Sequence, residues 1–265
     1  MRFINQHRAQ HSGPRLTSSL CECVPRGALR LFFFALVLVF FCGLIPAQSP
    51  APAAPQDGPT ELIITYRCPP PRRAAFRQFI TENGIQRFEH WKQDGLLKDY
   101  RFLFNWYVDV DSWDAMAVLS FSSYAQVARW KQVEHTSPGG LIRDALEMAW
   151  PLNTSSADLA WHGAAEQPAI PANSVYVVIP YDASTPADFR DSANQTLIPQ
   201  LKAWLHEGLA SYSIYQNRYP GGKRWQGLVV LEYTDMGAFA HARSLTKPKL
   251  ATDRDSVVAD PVIAH

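Results

Sequence analysis

Short runs of β-branched and aromatic residues alternate along this chain with longer stretches whose apolar side chains recur every three or four positions. Glu61–Arg67 (ELIITYR) predicts a strand. Phe76, Phe79, Ile80, Phe88 and Trp91 then recur at near-helical spacing and predict a helix over Ala74–Asp94. Asn83-Gly84 marks a kink or a break in it, and Gly95 supplies the left-handed residue that ends a helix. Asp99–Val108 reads as an aromatic-rich strand, Asp109–Asp114 as a turn and Ala115–Phe121 as a third strand. Ser122-Ser123 can cap a helix running to Val133.

The same order then returns. Val175–Tyr181 (VYVVIPY) predicts a strand, and Pro186–Glu207 a helix opened by Ser184-Thr185 and kinked at Pro199, which has no N–H to donate. Strands follow at Ala210–Asn217 and Gly227–Tyr233 around a turn at Tyr219–Gly222, then a helix over Met236–Leu245. The two series are anchored by Trp91-x-x-x-Gly95-Leu96 and Trp204-x-x-x-Gly208-Leu209, 113 positions apart, and by Trp113 and Trp225 after each aromatic strand. A repeat of this length settles architecture before any single motif does. It divides the chain into a leader (1–47), a Pro/Ala linker (48–60), a first unit (61–134), a connector (135–173), a second unit (174–247) and a tail (248–265). In the connector, Leu141–Trp150 reads as a short helix and Pro151 to about Pro171 as irregular. The tail after Pro248 reads as polar and loose.

Each unit is strand, helix, strand, strand, helix. One antiparallel sheet with both helices on one face is the ferredoxin-like plan, an α+β fold. ELIITYR and VYVVIPY are apolar on both sides, so the second sheet face also needs cover. Two such sheets facing each other within one chain would supply it.

Composition narrows the setting. Residues 31–45 (LFFFALVLVFFCGLI) are uncharged, follow Arg26 and Arg30, and precede Pro46-Ala47, the order of a secretory signal. The run is short for a membrane span of about 20 residues. Export is therefore expected, to the periplasm or the outside, with cleavage near Ala47. Membrane contact is expected only through an uncleaved signal. Beyond the leader the chain carries 20 basic and 23 acidic residues, which gives no clustered positive surface for nucleic acid. Cys21, Cys23 and Cys42 lie in the leader, so the body keeps Cys68 alone and has no intrachain disulfide to stabilise it.

The order strand, helix, Trp-x-x-x-Gly-Leu, strand, turn, strand, helix resembles the dimeric α/β-barrel superfamily, which includes NIPSNAP-like and EthD-like domains. The resemblance covers about residues 61–134 and 175–246. It implies two halves packed as a pseudo-dimeric barrel. It does not imply one activity, since that superfamily holds haem enzymes, cofactor-free monooxygenases, mutarotases and other proteins.

Polar residues that interrupt apolar strands are the candidates for chemistry. Asn105 beside Trp106 resembles the polar-aromatic pairing of cofactor-free monooxygenases, with Arg67 and His90 as neighbours. Tyr107, Asn217, Arg218 and Tyr219 are candidate ligand-binding residues. The alternative for Trp106, Tyr107 and Asn105 is packing and turn closure. No Cys/His spacing for a metal occurs in the body. P-loop, G-x-S-x-G and G-x-G-x-x-G motifs are also absent from the chain. No cofactor is expected, although the resemblance allows haem. The readings are an exported protein binding a small apolar or aromatic molecule or a protein partner, a monooxygenase or haem oxidase, or an assembly module forming homo-oligomers through strand edges.

Overall fold

The computed structural model describes residues 60–166, 169, 171–221, 225–242 and 256–263. The leader, residues 48–59 of the linker and residues 243–255 lie outside the described residues.

Eight strands close into one antiparallel barrel in the order β1-β3-β2-β8-β5-β7-β6-β4. They are β1 (Thr60–Arg67), β2 (Asp99–Asn105), β3 (Ala115–Phe121), β4 (Trp150–Ala164), β5 (Val175–Tyr181), β6 (Leu209–Asn217), β7 (Gly227–Tyr233) and β8 (Val257–Pro261). Read from β4, the order is β4-β1-β3-β2 followed by β8-β5-β7-β6. The two halves correspond strand for strand and join edge to edge, β2 to β8 and β6 to β4. The sheets thus face each other across a lumen as opposite walls of one barrel, which abolishes free sheet edges wherever the ladder is complete.

Two of these strands correct the sequence reading. Trp150–Ala164, expected as helix end and irregular connector, is a fifteen-residue strand. It pairs with β1 through Glu61–Ala157 and with β6 from Ala157–Asn217 to Ala164–Ser211. Val257–Pro261, expected as loose tail, pairs with both β2 and β5. Each is a seam strand between two halves. Helices cover little of either, so small and polar residues (Asn153-Thr154-Ser155-Ser156) replace an apolar alternation. The aromatic strand also ends at Asn105, three residues earlier than expected, because the chain turns there.

Alternation splits the apolar residues of the strands into an outer and an inner set. In the first half Leu62, Ile64, Tyr66, Phe102, Phe104, Leu119 and Phe121 face outward against helices α1 (Arg73–Phe79), α2 (Ile85–Gln93) and α3 (Tyr124–Thr136). Phe88, Trp91 and Trp130 lock that layer, Phe88–Trp91 at 5.2 Å and Trp91–Trp130 at 5.1 Å, both edge-to-face. A one-turn helix, α4 (Arg143–Leu146), adds Ala145 to the same core. In the second half Val177, Ile179, Leu231 and Tyr233 face α5 (Pro186–Ser192), α6 (Ile198–Trp204) and α7 (Met236–Ala242), with Phe189, Leu201 and Trp204. The inner set, Ile63, Leu103, Met116, Val118, Val178, Tyr215, Leu228 and Val230, fills the middle of the lumen.

The local signals for the helices hold. Ser123 Oγ accepts the Gln126 N–H, and Thr185 Oγ1 the Asp188 N–H at 3.1 Å, both N-caps. Gly95 takes φ +65° after α2. The expected break at Asn83-Gly84 is one wide turn of π-helix, Ile80–Gly84, between α1 and α2. Its counterpart Ala193–Leu197 joins α5 to α6, and the restart places Pro199 where no N–H is needed.

Candidate functional site

The two ends of the barrel differ in chemistry. All strands of one sense, β1, β2, β5 and β6, begin at one end and finish at the other, where the β2–β3 and β6–β7 hairpins turn.

The hairpin end holds seven of the eight sequence candidates. Asn105 is buried; its Nδ2 donates to the Trp113 carbonyl at 2.9 Å, and its Oδ1 accepts the Tyr107 N–H at 3.0 Å. Asn217 makes the same pair of bonds, to the Trp225 carbonyl and from the Tyr219 N–H, each at 3.0 Å. Both amides therefore close turns. Arg67 donates to the carbonyls of Asp109 and Val110 at 2.5 and 2.7 Å and ties the first loop to β1. Trp106 stacks edge-on to Phe239 at 5.7 Å and donates its indole N–H to Asp260. Arg218 pairs with Asp158 and lies over the Tyr124 ring. Tyr107 and Tyr219 are exposed. His90 sits apart from the others, exposed on α2 and paired with Asp94 at 3.2 Å. Asp114, read as part of a turn cluster, is buried beneath the loop, where it accepts the Cys68 N–H at 2.8 Å and pairs with Arg73 at 3.0 Å.

The opposite end of the lumen carries an unannounced polar cluster. Inner-face residues are fixed by register: Glu61 stands opposite Ser120, and Ser120 opposite Asp99. In the second half Tyr176 stands opposite Glu232, and Glu232 opposite Ser211. Arg101 lies one inner position further along β2, beside Val118. The Arg101 guanidinium reaches across the β2–β8 seam to lie over the Tyr176 ring, 5.3 Å from its centre.

The electrostatics of this pole are specific. Glu61 is 3% exposed, and burial raises its carboxyl to about 7 against the Ser120 hydrogen bond and the charges of Lys98 and Arg101, which oppose the rise. Ser120 Oγ donates to Glu61 Oε2 at 2.6 Å. Glu232 is saturated: Tyr176 and Ser211 each donate to it at 2.6 Å and Ser174 at 3.3 Å. Desolvation pulls Arg101 down, but Tyr176, Tyr215, Glu232 and Asp99 outweigh it, and the guanidinium is held above its ordinary value. Burial raises the phenols of Tyr176 and Tyr215, so both stay protonated donors. His162 Nδ1 lies 3.3 Å from Ser213 Oγ at the rim.

Access to this pole comes through the wall. β4 pairs with β6 along the whole inner series from Asn217 to Ser211, whereas β8 pairs with β2 only at Leu103–Asn105, extended by the Val262 N–H to the Phe102 carbonyl. Asp99, Tyr100 and Arg101 thus have no strand partner on that side among the described residues. A cavity of about 270 Å³ opens there, lined by Arg101, Tyr176, Asp99, Lys92, Glu89 and Val262 among others. Lys92 and Asp99 pair at 2.8 Å at its edge.

Glu61, Arg101, Tyr176, Tyr215 and Glu232 were not among the sequence candidates. Their signal was a charged or phenolic residue on one parity of an otherwise apolar strand, in ELIITYR, DYRFLFN and GLVVLEY.

No family model and no curated protein matches the chain. Solved structures do. An anthrone oxidase-like protein aligns with TM-score 0.50 at 11% identity, over 77% of this chain and 91% of its own. A candidate monooxygenase of Fusobacterium nucleatum gives 0.49 at 12%, over 78% and 93%. A candidate chlorite dismutase gives 0.47 at 12%, over 78% and 95%. The chain has an α+β fold whose antiparallel sheet closes into an eight-stranded barrel within one polypeptide. At these identities the likeness shows the fold and nothing of the activity.

Among the described residues His90, His135, His162, His206 and His241 are all solvent-exposed. No cluster of His, Cys, Asp and Glu suited to a metal ion occurs among the described residues.

Proposed function

We propose that this is an exported protein that holds a small aromatic or apolar molecule at the β2–β8 opening of its barrel wall, with an oxygen-bearing head group at Arg101. The observation that carries the reading is Arg101. Its guanidinium makes no hydrogen bond or ion pair with a described residue, and it lines the cavity at the β2–β8 opening together with Lys92 and Asp99. The guanidinium is half-buried and has five N–H donors that a ligand oxygen can accept from. A ligand oxygen entering through the β2–β8 opening would meet them. Tyr100, Phe102, Tyr176 and Val262 line the same cavity and suit an apolar body.

Calorimetric titration with aromatic 2-oxo acids and phenols tests this, using phenylpyruvate as the first probe. One molecule should bind per chain, and Arg101→Met should weaken binding tenfold or more, the loss of about 1.4 kcal/mol or more of charge-assisted hydrogen bonding. Equal affinity in the variant would take the head group away from Arg101.

An enzymatic version is supported by the buried Glu61 carboxylate, which accepts a hydrogen bond from Ser120 on one oxygen and, by burial, has its carboxyl raised.

A further inference from the structure

We infer that the occupant of the β2–β8 opening is peptide-like: an N-acylated amino acid with an apolar side chain, whose amide adds to the open edge of β2 at Tyr100 while its carboxylate meets Arg101. The inference rests on the binding reading above and names the ligand class.

The backbone of β2 turns alternately to its two neighbours. The Asn105 N–H donates to the Asp114 carbonyl, on the β3 side, at 2.9 Å. The Trp106 N–H donates to the Val258 carbonyl at 3.0 Å, and the Phe102 carbonyl accepts the Val262 N–H at 2.8 Å. Even-numbered residues of β2 therefore present their N–H and C=O groups to β8. Tyr100 is the next of them. By the register that sets Leu103 opposite Pro261, Val262 stands opposite Phe102 and Ile263 opposite Arg101. Tyr100 is thus left with a donor and an acceptor that no described residue meets on that side.

The cavity lies where the next strand residue would go. Val262 and Ile263 bound it at the end of β8, Tyr100 and Arg101 on β2, Tyr176 on β5 and Ile85 on α2. It is in line with β8, between the strands that β8 joins. A residue laid there opposite Tyr100 would keep the alternation of the sheet. Its side chain would point outward beside Tyr100, toward Ile85 and Val262 of the outer core. The cavity holds about 270 Å³, just under the range of roughly 300–1,000 Å³ for drug-sized ligands. That suits one capped residue rather than a long peptide.

Charge selects an acid. Glu89 accepts the Tyr100 hydroxyl at 2.7 Å, and Lys92 pairs with Asp99 at 2.8 Å. Arg101 has no ion pair with a described residue, and its guanidinium lies over the Tyr176 ring. It stands one strand position, about 3.3 Å, from Tyr100. A carboxylate attached to an amide bound at Tyr100 therefore comes within reach of its fork of donors. A 2-oxo acid offers the carboxylate without an amide N–H, whereas an N-acyl amino acid offers both.

The test compares three ligands by calorimetry: phenylpyruvate, N-acetyl-L-phenylalanine and N-acetyl-N-methyl-L-phenylalanine. The change is made in the ligand, so the protein stays wild type. N-acetyl-L-phenylalanine should bind roughly fivefold or more tightly than its N-methyl form, the worth of one amide hydrogen bond. In NMR of the nitrogen-15-labelled protein, the Tyr100 amide should exchange with solvent roughly tenfold or more slowly once that ligand is bound. Phenylpyruvate binding beside equal affinity for the two acetylated ligands, or an unchanged Tyr100 exchange rate, would overturn the inference and leave the binding reading standing. If none of the three binds, both fall. The chain's own residues are the rival occupant, and Ala264→Pro, which removes one backbone N–H, tests them. A preference for the free amide that appeared only in this variant would give the edge to Ala264 and overturn the inference.

Discussion

Asn105 and Asn217 hold the two hairpin ends of the barrel with the same pair of hydrogen bonds, each amide donating to the carbonyl of a Trp eight residues on and accepting the N–H of a Tyr two residues on. The correspondence has a direct consequence. Replacing either Asn by Ala removes two hydrogen bonds that close a half-exposed turn, and each variant should lose about 1 kcal/mol of stability. Urea denaturation of the two variants should give losses of similar size. A silent Asn217→Ala beside a damaging Asn105→Ala would show that Asn105 does something its counterpart does not.

How much could be read from the chain follows from where each residue faces. β1 and β5 were legible because both of their faces are apolar, one against helices and one against the lumen. β4 and β8 were not, because a seam strand has its hydrogen-bonding edges buried but much of its outer face uncovered, and Ser, Thr and Asn serve there as well as Val. The same logic hid the polar pole. Asp99 and Arg101 alternate with Tyr100 and Phe102, which in an open sheet reads as a solvent face opposite a core face. Closure of the barrel half-buries Arg101 against Tyr176, while Asp99 stays exposed and pairs with Lys92. Asn105 drew attention as a polar residue inside an apolar run, but the feature that decides its surroundings, the Trp113 carbonyl eight residues away, is a matter of turn geometry.

The raised carboxyl of Glu61 predicts how stability depends on pH. Its folded value of about 7 lies above the ordinary 4.5, so between those limits the folded chain binds more protons than the unfolded one. The contribution favours folding below about 4.5, declines as pH rises toward 7, and is lost above it, with an amplitude on the order of 1–3 kcal/mol. Glu61→Gln should flatten this segment of the stability profile and make the protein more stable than wild type at pH 8. Parallel profiles for the two proteins in denaturant titrations from pH 5 to 8 would contradict the assignment.

Gly227 and Phe189 test the packing of the second outer layer. A Cβ at Gly227 would lie 1.9 Å from the Phe189 ring, so helix α5 sits flat on bare backbone there. The matching position on β3 is Ala115, where the first half accommodates a methyl group. Gly227→Ala should therefore lower the melting temperature through overpacking of about 1–3 kcal/mol. Adding Phe189→Leu should recover part of the loss, because the smaller side chain vacates the space. If the double variant were less stable than the sum of the single changes, the clash would not be the cause.

The barrel also depends on its shortest strand. β8 is the only described element between β2 and β5, and its Ala259 is fully buried in the lumen core. A chain truncated after residue 255 should expose the facing edges of both strands, each lined with unpaired N–H and C=O groups. Such edges recruit other chains. Size-exclusion chromatography with light scattering should then show dimers or larger species, and the cooperative unfolding transition should broaden or vanish. A truncated chain that stayed at the wild-type oligomeric state with an unchanged melting temperature would mean that the two halves hold together through the β4–β6 seam alone.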